Sequence, residues 1–368
     1  MQVPMLDLKA QYATIKKQIR AAVNEVLDSQ ICIGGPKVEE LEKAIADYCG
    51  CGYAVGASSG TAAILNALMS LEIQPDDEVI TTPFTFFATA GCIARLKAQP
   101  VFVDIDPATF NIDPGKISKT ITKKTKAIMP VHLFGQMADM DPILALAKQA
   151  NLAVVEDAAQ SIGASYKGHR AGTMGTCGCL SFYPSKNLGA VGDAGMILTN
   201  DAKLAKRLKL MRNHGDESTY RHRLIGGNFR LDAIQAAVLL VKLPYLDKWN
   251  SQRQKNAAYY DKAFARCPKI TRPIVAKGNT CIYHQYVIRV QRRDEVAKHL
   301  REKNIGCAIY YPLALHMQEC FASLGYRRGD FPESEKAAEQ VLALPVYPEL
   351  TAEQKDFVVE SVLEAVEG

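Results

Sequence analysis

The sequence predicts an α/β fold: a large domain with a mostly parallel mixed sheet flanked by helices, followed by a smaller C-terminal α+β domain. Three observations predict it. Short apolar strands alternate with helix-length amphipathic segments between residues 53 and 155, the pattern of right-handed βαβ crossovers. A chain of 368 residues is too long for one simple core. A stretch with two prolines, residues 267–276, separates that alternation from a strand–helix–strand pattern near the C-terminus. The expected division is 1–245 for the large domain, N-terminal helical segment included, and 246–368 for the small one, with the boundary inside a linking helix.

Residues 11–29 open with helical spacing, placing Ile15, Ile19, Val23, Val26 and Leu27 on one face. A short loop, 30–35, contains Gly34 and Gly35, and Pro36 can open the next helix, with Val38, Leu41, Ile45 and Tyr48 as its apolar face. Residues 53–57 read as a buried strand. In the segment 58–70, SSGTAAILNALMS, Ser and Thr lead into an alanine- and leucine-rich helix. Gly60 and Thr61 at its start leave free backbone N–H groups at the positive end of the helix dipole, which suits a phosphate; plain capping explains the same residues equally well.

The strand at 78–82 runs into PFTFFATA, 83–90. Phe86 or Phe87 can lie flat against a planar ligand, while at least one of the three phenylalanines belongs to the core. Strands follow at 100–104 and 127–131, around a helix at 114–122. Then come HLFGQ at 132–136, a helix at 140–149 and a strand at 153–155. EDAAQS, 156–161, sets two acids at the end of that apolar strand. They suit a metal, a solvated surface, or a cationic ring nitrogen held by one of them, with Gln160 about one helical turn beyond Asp157.

The stretch 180–197, LSFYPSKNLGAVGDAGMI, carries one lysine, Lys186, in a turn of small and hydroxyl residues. Desolvation in such a turn lowers an ammonium pKa and frees the lone pair for nucleophilic work; an ordinary surface lysine is the competing reading. After a Gly-Gly-Asn break a helix runs from 229 to 240 and on, past a bend at Pro244, to about 264. The small domain is expected to hold a strand at 283–290, a helix at 294–303 and a strand at 307–311, with segments 334–342 and 352–366 closing the chain. Tyr310, Tyr311, Pro312 and His316 make an aromatic, polar loop that either touches a substrate or packs the domain edge.

Other chemistries lose their support. No G-x-G-x-x-G or P-loop motif occurs. A net charge of +5 without a dense basic block argues against nucleic acid, and no apolar run approaches membrane-spanning length. The ten cysteines are scattered, and the two Cys-Gly-Cys pairs, 49/51 and 177/179, lack metal or redox spacing, so no metal site is expected and the thiols read as reduced. The N-terminus has no basic segment followed by an apolar run, which reads as a cytoplasmic protein.

In α/β sheets ligands bind beyond the carboxyl ends of the strands. PFTFF, HLFGQ, EDAAQS and SFYPSK all fall there. Pyridoxal phosphate (PLP) needs a lysine amine, an acid for its pyridine nitrogen, donors for its phosphate and a flat surface for its ring. Lys186, Asp157, Gly60-Thr61 with Ser181, and Phe86 supply these in one predicted sheet.

At these residues the chain resembles the DegT/DnrJ/EryC1/StrS family of sugar aminotransferases, within fold-type I PLP enzymes. The motifs that carry the resemblance are SSGTAA, TTPFTFFATA, VHLFGQ, VVEDAAQSIGA, SFYPSKNLG and GGNFRLDAIQAA, and it covers essentially the whole chain. It implies that Lys186 forms the Schiff base with PLP and then acts as general base and acid. It implies Asp157 on the pyridinium nitrogen, Gln160 on the ring's hydroxyl side and Phe86 stacked on the ring. Gly60, Thr61 and Ser181 would hold the phosphate, joined by Asn228 from a second subunit, hence a homodimer with shared active sites. Substrate contacts would be Arg230, Tyr311 and His316, with Gly34 and Gly35 beside them. The implied reaction passes an amino group from L-glutamate, through pyridoxamine 5'-phosphate, to a keto carbon of a nucleotide-linked sugar. Some relatives acting on uronic-acid sugars carry His-Tyr-Pro where this chain has Tyr310-Tyr311-Pro312, so the resemblance leans towards a neutral keto sugar. Lys186 itself argues against the family's dehydratase branch, in which a histidine stands there. Two alternatives remain: a non-nucleotide keto sugar or cyclitol as acceptor, and a non-catalytic regulatory protein of the same fold.

Overall fold

The computed structural model describes residues 1–218 and 220–367. Its centre is a seven-stranded sheet made of β1 (Tyr53–Ala57), β2 (Glu78–Thr81), β3 (Gln99–Phe102), β4 (Thr125–Ile128), β5 (Ala153–Asp157), β6 (Cys177–Ser181) and β7 (Gly195–Thr199). The spatial order is β1-β7-β6-β5-β4-β2-β3. β3, β2, β4, β5 and β6 pair in parallel, while β7 runs antiparallel to both β6 and β1. The strands are apolar on both faces because helices cover both. Val55, Val79, Ala127, Val155, Cys179 and Ile197 pack towards α3 (Gly60–Ser70). Ile80, Ile128, Val154, Leu180 and Leu198 pack on the other side with α2 (Pro36–Cys49) and α5 (Met140–Ala150).

The period-two alternation of β5 sorts its two terminal acids. Asp157 ends on the side of α3. Glu156 turns to the opposite face and is fully buried there. Its carboxylate accepts from the backbone amides of Gly172 (2.8 Å), Met174 (2.7 Å) and Gly175 (2.6 Å), and lies 2.7 Å from His132 Nε2. His132 Nδ1 accepts from Ala138 N at 3.1 Å, so the imidazole proton sits on Nε2 and is donated to Glu156. Glu156 and His132 are therefore structural. Glu156→Gln turns an NH2 towards a backbone donor and is expected to cost about 2–4 kcal/mol of unfolding free energy, read in urea titrations.

The linking helix is shared between cores. α7 (Ala233–Lys242) passes through a 3-10 turn at Leu243–Tyr245, the predicted bend at Pro244, into α8 (Leu246–Phe264). Trp249 of α8 packs with Ile15, Ile19 and Val238, whereas Ala257, Tyr260 and Phe264 belong to a second core with Tyr286, Ile288 and Leu342. That second core covers a three-stranded sheet of β8 (Ile270–Thr271), β9 (Tyr286–Val290) and β10 (Val341–Leu344), with β9 in the middle.

The structure corrects several expected elements. The helix at 114–122 is one short turn, Pro114–Ile117, followed by a 3-10 turn, Ser118–Thr120. The strand expected at 283–290 begins only at Tyr286, because 282–285 bonds to another segment: Ile282 N donates to Gly135 O. No strand spans 307–311; Ala308 makes a single bridge to Ala343 before the chain leaves to carry Tyr310 and Tyr311 elsewhere. β10 itself lies where no strand was expected. The first residues tie two clusters together: Val3 bridges Ile305 and is buried with Tyr286, Ile288 and Leu342, with Leu6 against it, while Met5 packs against Phe84 and its neighbours.

Candidate active site

A cavity of about 700 Å³ opens at the carboxyl ends of the central strands. Its wall brings together Gly60, Thr61, Phe86, Asp157, Gln160, Ser181, Lys186 and Tyr311. Each arrives by a local route. Asp157 is the last residue of β5. Ser181 is the last of β6, and the turn that follows it carries Lys186. Gly60 and Thr61 open α3, capped by Ser59, whose hydroxyl accepts from Ala62 N at 3.0 Å. The amides of Gly60 and Thr61 are among the first N–H groups of α3, which have no intrahelical acceptor, so that end of the cavity is an anion cradle.

Close approach explains the glycines there. A Cβ on Gly60 would meet Ser181 Cβ at 2.8 Å, and one on Gly195 would meet Ser59 O at 2.3 Å. Gly60→Ala would push Ser181 out of the cradle. It is expected to cost about 1–3 kcal/mol and to weaken binding of a phosphate-bearing ligand about tenfold, measured by calorimetry.

The Phe triplet divides by environment. Phe84 is buried in the core, and Phe87 rests on Phe321 with ring centroids 5.7 Å apart. Phe86 is 56% exposed and faces the cavity, 6.4 Å from the Tyr311 ring. Gln160 is fixed at both ends, its Oε1 accepting from Phe134 N at 2.8 Å and its Nε2 donating to Tyr311 Oη at 3.1 Å.

The two charged groups shape each other. Burial raises the Asp157 carboxyl above the usual range. Donation from Thr89 Oγ1 (2.7 Å) and Ala159 N (3.2 Å), and the positive charge of Lys186, offset part of that. Thr89 is in turn 3.0 Å from Thr85 Oγ1, so a buried hydroxyl relay orients the carboxylate. Burial lowers Lys186 to about 8, partly countered by Asp157. Nζ has no hydrogen bond or ion pair among the described residues and stands free in the cavity. Acylation of Lys186, followed by peptide mass spectrometry, is therefore expected to rise with pH and to level off above about 8, since the amine and not the ammonium reacts.

Other expected site residues lie apart within this chain. Asn228 and Arg230 line a neighbouring groove with Ser58, Ser59 and Asp193, and Arg230 Nη1 donates to Asn213 Oδ1 at 2.8 Å. Gly34 borders an adjoining basic pocket with Lys206, Lys209 and Arg212, and Gly35 caps α2. His316 does not line the cavity. It is buried, with Nε2 3.0 Å from Glu335 Oε1 and its ring against Phe331, in a cluster with Ala90 and Phe102.

Sequence reasoning missed Thr85, Thr89, Tyr183, Asp193, His284 and Gln285. The hydroxyls at 85 and 89 are spaced one helical turn apart in TTPFTFFATA, a signal that was available. His284 reaches the cavity because Gly135, at φ +104°, lets the 282–284 backbone approach; a Cβ there would meet His284 N at 2.8 Å.

A family model described as the DegT/DnrJ/EryC1/StrS aminotransferase family matches residues 13–363. A "Pleiotropic regulatory protein" of Geobacillus stearothermophilus is 50% identical over 99% of this chain and 98% of its own length. A UDP-2-acetamido-2-deoxy-3-oxo-D-glucuronate aminotransferase of Pseudomonas aeruginosa is 43% identical over 95% of this chain and 96% of its own. Among solved structures, Streptomyces venezuelae DesV in complex with a ketimine intermediate superposes with a TM-score of 0.97, at 40% identity, over 100% of this chain and 99% of that one.

Proposed function

The chain belongs to the DegT/DnrJ/EryC1/StrS aminotransferase family, and from that premise we propose that it is a PLP-dependent enzyme moving an amino group from L-glutamate to a keto carbon of a nucleotide-linked sugar. The observation that carries the reading is the joint wall of one cavity: an unpartnered lysine amine, a buried carboxylate and a helix N-terminus with a glycine-made cradle. This donor set fits pyridoxal phosphate. When bound, the cofactor supplies an aldehyde for an amine and a protonated ring that withdraws electrons from the amino-bearing carbon.

The residues divide the work. Gly60, Thr61 and Ser181 would hold the phosphate at the positive end of α3. Phe86 would cover one ring face, and Gln160 would meet the ring hydroxyl. Asp157 would hold the ring nitrogen in its protonated form; a carboxylate strained by burial gains most from a cationic partner. Lys186, at about 8, can take a proton and return it near neutral pH, as a general base and acid must.

In this reading the protein is a cytoplasmic homodimer. The ten free thiols suit a reducing compartment. No described helix is long and apolar enough to cross a membrane. Asn228, outside the cavity of its own chain, would reach the phosphate in the partner's site, and Arg230, Gly34 and Gly35 would border the substrate with Tyr311. Tyr310 offers a phenol where a uronate would call for a cation, which favours a neutral keto sugar. The test is a panel of nucleotide-linked and free keto sugars and cyclitol ketones, with L-glutamate as donor. Amination of only the free ketones moves the acceptor to the second class. The regulatory name of one close relative keeps one more reading in play, cofactor binding without turnover, to which a panel with no product at all would point.

A further inference from the structure

Thr85 and Thr89 hold no part of the cofactor in the proposed reaction, yet the hydroxyl chain they form has a direction. Thr89 lies in the first turn of the helix Ala88–Arg95, and Thr85 precedes it by one helical turn. Both are buried. Among the described residues their side chains bond only to each other and to Asp157. An ionised carboxylate only accepts, so the single Thr89 hydroxyl proton goes to Asp157 Oδ2 at 2.7 Å. The Thr89 oxygen is then left to accept, and the Thr85 proton goes to it across 3.0 Å. Ala159 N donates to the other carboxylate oxygen, Oδ1, at 3.2 Å. Donors in series polarise one another, and this series ends on a charge in a buried place, where such bonds are strongest. A neutral carboxyl gains nothing comparable, because the charge that strengthens the series is gone.

We propose that Thr89, backed by Thr85, is a positioning residue for Asp157: the two hydroxyls hold the carboxylate ionised before any cofactor arrives, so that the proton shared with a bound ring nitrogen belongs to the ring. The proposal rests on Asp157 being the ring's partner in the proposed function. Burial pulls the other way and raises the Asp157 carboxyl; Thr89, Ala159 N and the charge of Lys186 work against it. The other groups facing Asp157 are His132, Cys92, Cys179 and Tyr311. His132 gives its proton to Glu156. Burial pushes the two thiols and the phenol up, so they stay neutral at physiological pH. Thr89 is thus the counterweight that a substitution can remove without touching the working amine.

Valine keeps the branched shape of threonine and lacks its hydroxyl, whereas serine keeps the hydroxyl and lacks the methyl. The experiment is carboxyl 13C NMR against pH on the full-length, cofactor-free protein labelled in aspartate, with the Asp157 resonance identified as the one missing from Asp157→Asn. Thr89→Val is expected to raise the Asp157 midpoint by about one pH unit, a tenfold change in its ionisation equilibrium. Thr89→Ser is expected to titrate as the unsubstituted protein does. Thr85→Val, which removes only the second donor of the series, is expected to raise the midpoint by less. An unmoved midpoint in Thr89→Val, or an equal shift in Thr89→Val and Thr89→Ser, overturns the proposal in favour of a packing role for the side chain. An unmoved midpoint in Thr85→Val overturns the part assigned to Thr85. Should Thr89→Val not fold, Thr85→Val decides alone: a raised midpoint is expected, and an unmoved one overturns the proposal. The titration needs neither cofactor nor keto sugar, so it still reads if the proposed reaction proves wrong.

Discussion

Lys186→Ala is expected to abolish amino transfer, lowering turnover by at least about 10⁴-fold, since it removes nucleophile, base and acid together. The loss would be confined to chemistry. Nζ makes no hydrogen bond that the fold depends on, and the turn is held by other atoms. The Lys186 amide donates to Tyr183 O at 2.8 Å, and Asn187 ties the turn to α8 and to the 282–284 segment. The variant should therefore unfold at the same urea concentration as the unsubstituted protein, bind cofactor through the phosphate cradle, and lack the visible absorption band that L-glutamate discharges. A variant that keeps more than a hundredth of the activity would mean that another amine does the work.

Asp157→Asn is expected to lower turnover about 10²–10³-fold, the scale of removing one preorganised electrostatic partner from a dry site. Its effect on stability should run the other way. Burial raises the Asp157 pKa in the folded chain. A carboxyl raised on folding contributes stability that is present below its unfolded pKa and lost as pH rises through the folded one. At neutral pH the cofactor-free protein has therefore lost part of that stability. Asparagine removes the titrating group; its Oδ1 can still accept from Ala159 N while its Nδ2 donates to Thr89 Oγ1, whose own proton turns to Thr85 Oγ1, so thermal melts of cofactor-free Asp157→Asn at pH 7 should be no lower than those of the unsubstituted protein, and the difference should shrink as pH falls. A variant equally active and less stable would give Asp157 a structural role like that of Glu156.

The parts of this design legible in the chain were those written in local order. The strand–helix alternation, the Ser-Gly-Thr helix start and the lysine turn are each decided by neighbours a few residues away, and they fall where the spacing predicts. The less legible parts depend on contacts across the fold. Either of two adjacent acids could end an apolar strand facing a ligand; only the sheet's register sends Asp157 to the cavity and Glu156 to a cage of backbone amides. Residues 283–290 alternate like a strand, but Ile282 just before them bonds to Gly135 and Gln285 to Phe134, far earlier in the chain, which is why His284 stayed hidden. His316 looked like part of an aromatic binding loop, and its partner Glu335 lies 19 residues on. Asn228, Arg230 and Gly34 sit on a surface whose relation to the cavity depends on what covers it.

Of the 27 lysines in the chain, Lys186 is the one proposed to bond the cofactor. Lys242 is the natural rival, being buried, lowered to about 8 by burial, and bonded to Gly189 O at 2.6 Å just beyond the same turn. Borohydride reduction of the PLP-loaded protein, digestion and peptide mass spectrometry separate them directly. A single pyridoxyl adduct on Lys186 is expected; an adduct on Lys242, or none at all, would show that Lys186 is not the bonding amine.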